Sequence, residues 1–516
     1  MRLMQTLATL LLGTVMTATP LLADTIRVGI GADMISTNVG VRRDSITDII
    51  MSHVAESLVG VRDDLDVGPA LAESWVISED GRDYTFTLRE GALFHNGAPV
   101  TAAEVVWSWE RMLDPQTEFL CRNWFDGTGT TGIEITGIEA VDERRVRFTL
   151  EEPNALFLPR MAHVACLSAI IHPDSVSETG EWIDPIATGP YTIADWRRNQ
   201  YVELARFERY VPAISETSGY SGAREPLAER VRFLVISDPA AAKSALLAGD
   251  VDVLPSLDMD AADEVEAAGF DVSITPTPGQ ALLLMQTEDP LLSDNRVRRA
   301  IAHAINREEA AFFATAGRGA PNPSALAPQS AFFGPEFQET LAYDPDMARQ
   351  LLAESGYSGE EIRIVTSTRN PALMNSAVAI QGMLQAAGIN AQLEVLEWAA
   401  HFDRFSRGDY QAMVMSYSAR PDPTMALDVF VGDKASRANA VVGNPAIIEA
   451  VTESGLIQDR DARREKLLAI HRMLQEDASA LNLFNLIQGS ASSPELRGYT
   501  PWALGTARLW GVSKAD

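Results

Sequence analysis

The stretch RVRFLVISDPAAAKSALLAGDVDVLPSL, residues 230–257, limits the fold more than any other part of the chain. It reads strand, helix, strand, with Asp238 placed to cap the helix, Pro239 at its first position and Gly249 at its stop. Two strands joined through a helix require a crossover connection, which antiparallel hairpins do not use. The chain is therefore predicted to be α/β, with a parallel or mixed sheet.

The flanking segments extend this pattern. DTIRVGIG, from Asp24, alternates like a short buried strand and leaves through Gly29 and Gly31. Two strands meet at an Asp80-Gly81 turn, with Tyr84, Phe86 and Leu88 on one face. Thr101 and Glu104 form a capping box ahead of a stripe of Val105, Val106 and Trp109. Beyond Gln286 longer helices alternate with strands, including one closed by Gly388 and followed by Ile389, Ala391, Leu393 and Val395 in alternation. That half is predicted to be an α/β domain with its own sheet.

The 516 residues imply more than one domain. Residues 1–23 carry one early cation, Arg2, an apolar run and small residues, the pattern of a secretory signal cleaved after Ala23. The run is too short to span a bilayer, and no cysteine near the cut offers a lipid anchor. Removing it leaves 41 basic and 71 acidic residues, a net charge of −30. Such a surface repels nucleic acid and anionic lipid. A soluble periplasmic protein is expected, with neither nucleic acid nor membrane insertion. Cys121 and Cys166 lack CxxC spacing, and the sequence leaves open whether they form a disulfide.

Catalytic signatures are missing. GxxxxGK[ST], GxGxxG after a strand, HExxH and GxSxG do not occur, and the seven histidines never fall at metal-ligand spacing. No metal or cofactor is expected. Scattered carboxylates assembling into a hydrolytic pair remain an open alternative.

The segment LAESWVISEDGRDYTFTLREGALFHNGAPVTAAEVVWS resembles the signature of the dipeptide, oligopeptide and nickel-binding family of periplasmic solute-binding proteins, family 5, which serve ABC importers. ATGPYTIADW, DNRVRRAIAHAINRE, YDPDMARQLLAESGY and AGINAQLEVLEWAAHFDRFSRGDY continue the resemblance in order. It implies a two-lobed fold with the ligand in a cleft between the lobes. One lobe is expected from 24–56, 187–278 and 483–516, a domain inserted in it from 57–186, and the other lobe from 279–482. Two hinge strands are expected, near PGQALLLMQ and ALNLFN.

The resemblance also implies site residues. Met34 and Asn38 are expected exposed in the loop after the first strand, with Trp124, the hinge residue Gln280, Trp398, Tyr417, Ser418, Arg420 and Asp422 as further ligand contacts. His95, Trp107 and Trp109 are expected to be structural. Oligopeptide-binding members have, at the position of Arg420, an aspartate that holds the peptide's ammonium; here the sign is reversed. The implied function is a monomeric binding protein that delivers a small peptide-like or other anionic solute to an ABC permease. A metal chelate, haem or oligosaccharide ligand, a secreted hydrolase, and a chaperone or sensor subunit are the alternatives. Arg420 has two readings: it grips an anion, or it pairs internally with Asp422 or Glu397.

Overall fold

The computed structural model describes residues 25–128, 132–505 and 507–515; the proposed leader, residues 1–23, lies outside them. The strand-helix-strand unit forms as its caps dictate. Asp238 accepts the Ala241 amide at 2.7 Å, Pro239 occupies the first turn, and Gly249 adopts a φ of +75° past the last. Strands Arg230–Val235 and Val253–Leu257 both run parallel to Thr25–Ile30, which lies between them. Ile26 and Val28 are completely buried, as a strand covered on both faces requires.

Among the described residues these strands belong to one mixed sheet of ten. Its order is Ala391–Leu396, Ile362–Ser367, Ala412–Tyr417, Asp271–Met285, Ala480–Ser492, Val253–Leu257, Thr25–Ile30, Arg230–Val235, Tyr201–Arg206 and Tyr191–Arg197. The separate sheet expected beyond residue 286 is thus corrected. Asp271–Met285 is 15 residues long, and its C-terminal part pairs with Ala412–Tyr417, so the two sets of strands share one hydrogen-bonded layer. Val395, expected on a buried face, is 45% exposed because its strand lies at the sheet edge.

The two long strands, Asp271–Met285 and Ala480–Ser492, pair antiparallel, and their register shifts between Pro276 and Gln280. Pro276 and Pro278 have no amide hydrogen to give to a ladder, so a break here follows from the sequence. Side chains span it: Thr277 Oγ1 donates to the Leu486 carbonyl at 3.0 Å, and the Gly279 amide donates to Thr277 Oγ1 at 3.2 Å.

A second, antiparallel sheet runs in the order Ala72–Ile77, Asp83–Leu88, Arg145–Leu150 and Ile135–Ala140. Tyr84, Phe86 and Leu88 point into its core, where Val105 and Trp109 of helix Ala102–Leu113 meet them. Val106 falls off that stripe and is half-buried. Cys121 and Cys166 are joined in a disulfide, with their Cα atoms 5.7 Å apart. His95 is held by the Gly189 carbonyl at 3.0 Å, a structural contact.

Gly189 packs against backbone. A Cβ there would lie 2.5 Å from the Val54 carbonyl carbon, which no rotamer change relieves. Gly189→Ala is therefore expected to destabilise the protein by about 1–3 kcal/mol in urea unfolding; an unchanged midpoint would show that the contact relaxes freely. His53 provides a pH test. Its Nδ1 donates to the Ile49 carbonyl at 2.8 Å, its Nε2 accepts the Leu509 amide at 3.1 Å, and burial pushes the imidazole down to about 4. The unfolded chain then binds the extra proton between pH 6.5 and 4. The stability from neutral His53 is present above pH 6.5 and is lost as pH falls through that window, on the order of 3 kcal/mol in total. His53→Gln should flatten this part of the stability–pH curve measured by chemical denaturation.

Candidate functional site

A cavity of about 510 Å³ is lined by three separate parts of the chain. The first part is the loop and helix after the opening strand, with Arg43, Ser45 and Asp48. The second contains Leu120, Cys121, Trp124, His163, Val164 and Ala165, tied together by the disulfide. Ser418 to Pro421 close the third side, with Leu504 nearby.

The third side is built by the end of strand Ala412–Tyr417. Its apolar residues are buried up to Met415, and the chain then turns through Ser418–Pro421 into helix Pro423–Leu427. Asp422 caps that helix, accepting the Thr424 amide at 2.8 Å and the Met425 amide at 3.4 Å. The same carboxylate takes a hydrogen bond from Arg463 at 2.7 Å, with both side chains almost fully buried. Arg463 also reaches the Ser454 carbonyl at 2.8 Å and Thr424 Oγ1 at 2.9 Å. Asp422 is therefore committed to the interior and does not face the cavity, contrary to the expectation for it.

Arg420 has no such partner. Its Nη1 donates to Ser418 Oγ at 2.7 Å, the Ala419 carbonyl at 3.1 Å and the Ser418 carbonyl at 3.4 Å, all neutral groups. Among the described residues no carboxylate lies within ion-pair distance of it, so the internal pairing with Asp422 or Glu397 is corrected. Partial burial lowers its guanidinium below the ordinary arginine value. A cation that has lost part of its water without gaining a counter-charge is suited to take one from a ligand.

The other walls carry charge differently. Arg43 holds Asp48 through two hydrogen bonds, Nε to Oδ1 at 2.8 Å and Nη2 to Oδ2. Burial pushes the Asp48 carboxyl up to about 6 despite that partner. His163 accepts the Ala165 amide on Nδ1 at 3.2 Å, and burial, with the Arg420 and Arg43 charges, pushes it down to about 3. The imidazole is neutral at physiological pH. Its ring meets Trp124 edge-on, with centroids 5.2 Å apart, and the Arg160 guanidinium sits 5.8 Å from the Trp124 ring centre.

Of the residues expected to contact ligand, Trp124, Ser418 and Arg420 line this cavity. Met34, expected exposed, is 1% exposed and packs in the core around Ile26 and Val28. Gln280 is buried and donates to the Ala325 carbonyl. Tyr417 packs between Phe405 and Phe430, its hydroxyl buried and its phenol raised well above the ordinary value by burial. Trp398 begins helix Trp398–Arg407, stacks on His401 with centroids 5.6 Å apart, and has Arg369 over its face; it does not line the cavity. Asn38 is half-buried and also lies outside the lining.

Arg43, Asp48 and His163 were not among the residues expected from sequence. A signal for His163 existed in its spacing, three residues before Cys166, since a Cys121–Cys166 bridge brings it beside Trp124. Arg43 and Asp48 carried none, because a loop arginine pairing with a helix aspartate is commonplace.

Neighbouring charges on one turn should thus respond unequally to truncation. Asp422→Ala leaves Arg463 buried without its acid and is expected to cost about 3–5 kcal/mol in urea unfolding. Arg420→Ala should leave the unliganded midpoint within about 0.5 kcal/mol. Equal losses would mean that Arg420 is structural.

Comparison with known proteins converges with this architecture. Residues 66–437 match the family model described as bacterial extracellular solute-binding proteins, family 5, middle. Heme-binding protein A of Haemophilus influenzae is 27% identical over 485 residues, covering 87% of this chain and 84% of that protein. Glutathione-binding protein GsiB of Escherichia coli K12 is 25% identical over 374 residues, covering 72% of this chain and 69% of its own length. The structure of HbpA2 from Haemophilus parasuis superposes with a TM-score of 0.82 at 22% identity, covering 95% of this chain and all of that one. Among the described residues no helix is long and apolar enough to cross a membrane. A lone cation facing a cavity assembled from three parts of the chain has a natural place in such a fold, and the chain belongs to the family 5 solute-binding proteins, the substrate-capturing components of ABC importers.

Proposed function

We propose that this protein captures a small solute bearing an anionic group, with Arg420 as the group that grips it, and hands the solute to an ABC permease. The observation that carries the reading is the hydrogen bonding of Arg420, which faces the cavity with only neutral protein partners. A planar guanidinium holds a carboxylate through two charge-assisted bonds, for which its remaining N–H groups are available. Trp124 and the apolar residues beside it offer surface for the rest of the ligand. The related proteins named for glutathione and haem indicate that solute identity varies across such folds, so the ligand must be read from this cavity.

The same reading supplies the rest of the cycle. The 279–482 lobe closes on the 24–56, 187–278 and 483–516 lobe with its 57–186 insertion, bending where the long strands are interrupted near Pro276 and Pro278. Contacts already cross between 57–186 and 279–482. The Ala155 amide donates to the Gly455 carbonyl at 2.8 Å, Gln458 donates to the Tyr84 hydroxyl at 2.9 Å, and Arg460 pairs with Asp66 at 2.9 Å. Binding is the whole task and no catalysis is assigned. Residues 1–23 serve as the export signal, and the mature monomer works in the periplasm.

Native mass spectrometry of protein purified from its host, before and after denaturation, tests the grip. Wild type is expected to release a small anion, and Arg420→Ala to purify without it. Loss of the charge-assisted bonds should weaken binding by about 1.5–3 kcal/mol. Retention of the same mass at the same occupancy in Arg420→Ala would remove this reading.

A further inference from the structure

The charges around the cavity restrict the ligand beyond its sign, and this step rests on the reading that Arg420 faces the ligand. Among the described residues that line the cavity, four side chains are ionisable: Arg43, Asp48, His163 and Arg420. Asp48 is the one carboxylate, and it is 6% exposed with both oxygens taken by Arg43. His163 is uncharged at neutral pH, held so by burial and by the two nearby guanidinium groups. The lining therefore presents one unpaired cation and no unpaired anion, a net charge of +1, inside a protein whose overall charge is −29.

This balance bears on ligands that carry an amine. An ammonium group drawn from water into the cavity needs an opposite charge or several good acceptors. The carbonyls of Ser418 and Ala419 already accept from Arg420, and any position near them lies close to that guanidinium. An amine would thus enter beside a cation, with the single carboxylate already neutralised. Apart from Ser45 and Ser418, the uncharged side chains of the lining are apolar or aromatic, among them Leu120, Trp124, Val164, Pro421 and Leu504.

We propose that the cavity selects monoanions that lack an ammonium group, a carboxylate head on an apolar body as in N-acylated amino acids, N-blocked peptides or aryl and alkyl carboxylates, and that it discriminates against zwitterionic peptides. Selection arises from the sequestering of Asp48 by Arg43 as much as from Arg420 itself.

The test is calorimetric titration of ligand-stripped, refolded wild-type protein with three matched probes: N-acetyl-alanyl-phenylalanine, alanyl-phenylalanine and alanyl-phenylalaninamide. The acetylated monoanion is expected to bind at least tenfold more tightly than the zwitterion, with no binding of the cationic amide. A zwitterion that binds wild type as tightly as the acetylated probe would overturn the proposal, as would failure of all three to bind. If both carboxylate probes bind equally and both weaken in Arg420→Ala, the anion grip stands and only this selection rule fails. If the acetylated probe binds Arg420→Ala as it binds wild type, the grip itself fails.

Discussion

The antiparallel ladder between Asp271–Met285 and Ala480–Ser492 is the interaction on which the rest of this architecture depends. It is where the two groups of strands in the ten-stranded sheet become one layer: Ala412–Tyr417 hydrogen-bonds to the first long strand and Val253–Leu257 to the second. Leu282, Leu284 and Ala480 belong to one core cluster, while Leu283, Met285 and Leu481 belong to another, so each face of the ladder packs its own helices. The interruption at Pro276–Gln280 lies within this pairing, with a second, smaller register shift following between Ala281 and Leu282. A break bridged by Thr277 and Gly279 weakens the ladder locally without severing it, and it is there that the proposed closure would bend.

At the end of Ala412–Tyr417 that ladder also delivers the turn carrying Arg420 and Asp422. Two charges two residues apart meet opposite fates, for a reason rooted in desolvation. Asp422 enters the interior, where a helix start and Arg463 together satisfy it; an unpaired carboxylate there would be prohibitively costly. With Asp422 spent on Arg463, nothing on the turn neutralises Arg420, which is left to the cavity. On the facing wall the reverse has happened, since Arg43 neutralises Asp48. The electrostatic character of the site follows from which charges are paired, since the side chains present would otherwise nearly balance.

Local features of the fold were legible because their causes are local. Asp238, Pro239 and Gly249 bracket one helix, and Thr101 with Glu104 starts another, through contacts between residues a few positions apart. Sheet order was not legible. Nothing in Thr25–Ile30 indicates that it separates two strands more than 200 residues away, or that strands on either side of residue 286 share a layer. The site divides similarly. Arg420 could be found from its residue type and its place after a strand, whereas Asp422 could not be excluded, because its partner Arg463 lies 41 residues on. Met34 and Tyr417 looked like cleft residues because exposure of an apolar side chain next to a turn depends on what packs over it. His163 reaches the cavity through the disulfide, which joins positions 45 residues apart, whereas the Arg43–Asp48 pair is local and only its meeting with Trp124 and Arg420 across the cavity is a long-range consequence of folding.

The most direct measurement is a crystal structure of the protein purified from its own host with the solute it retains. The account predicts density for a small molecule in the cavity between Trp124 and Ser418–Pro421, with an anionic group accepting hydrogen bonds from Arg420 and Asp48 still held by Arg43. A solute whose charged group lies elsewhere, with Arg420 turned to a protein carboxylate or to solvent, would contradict it.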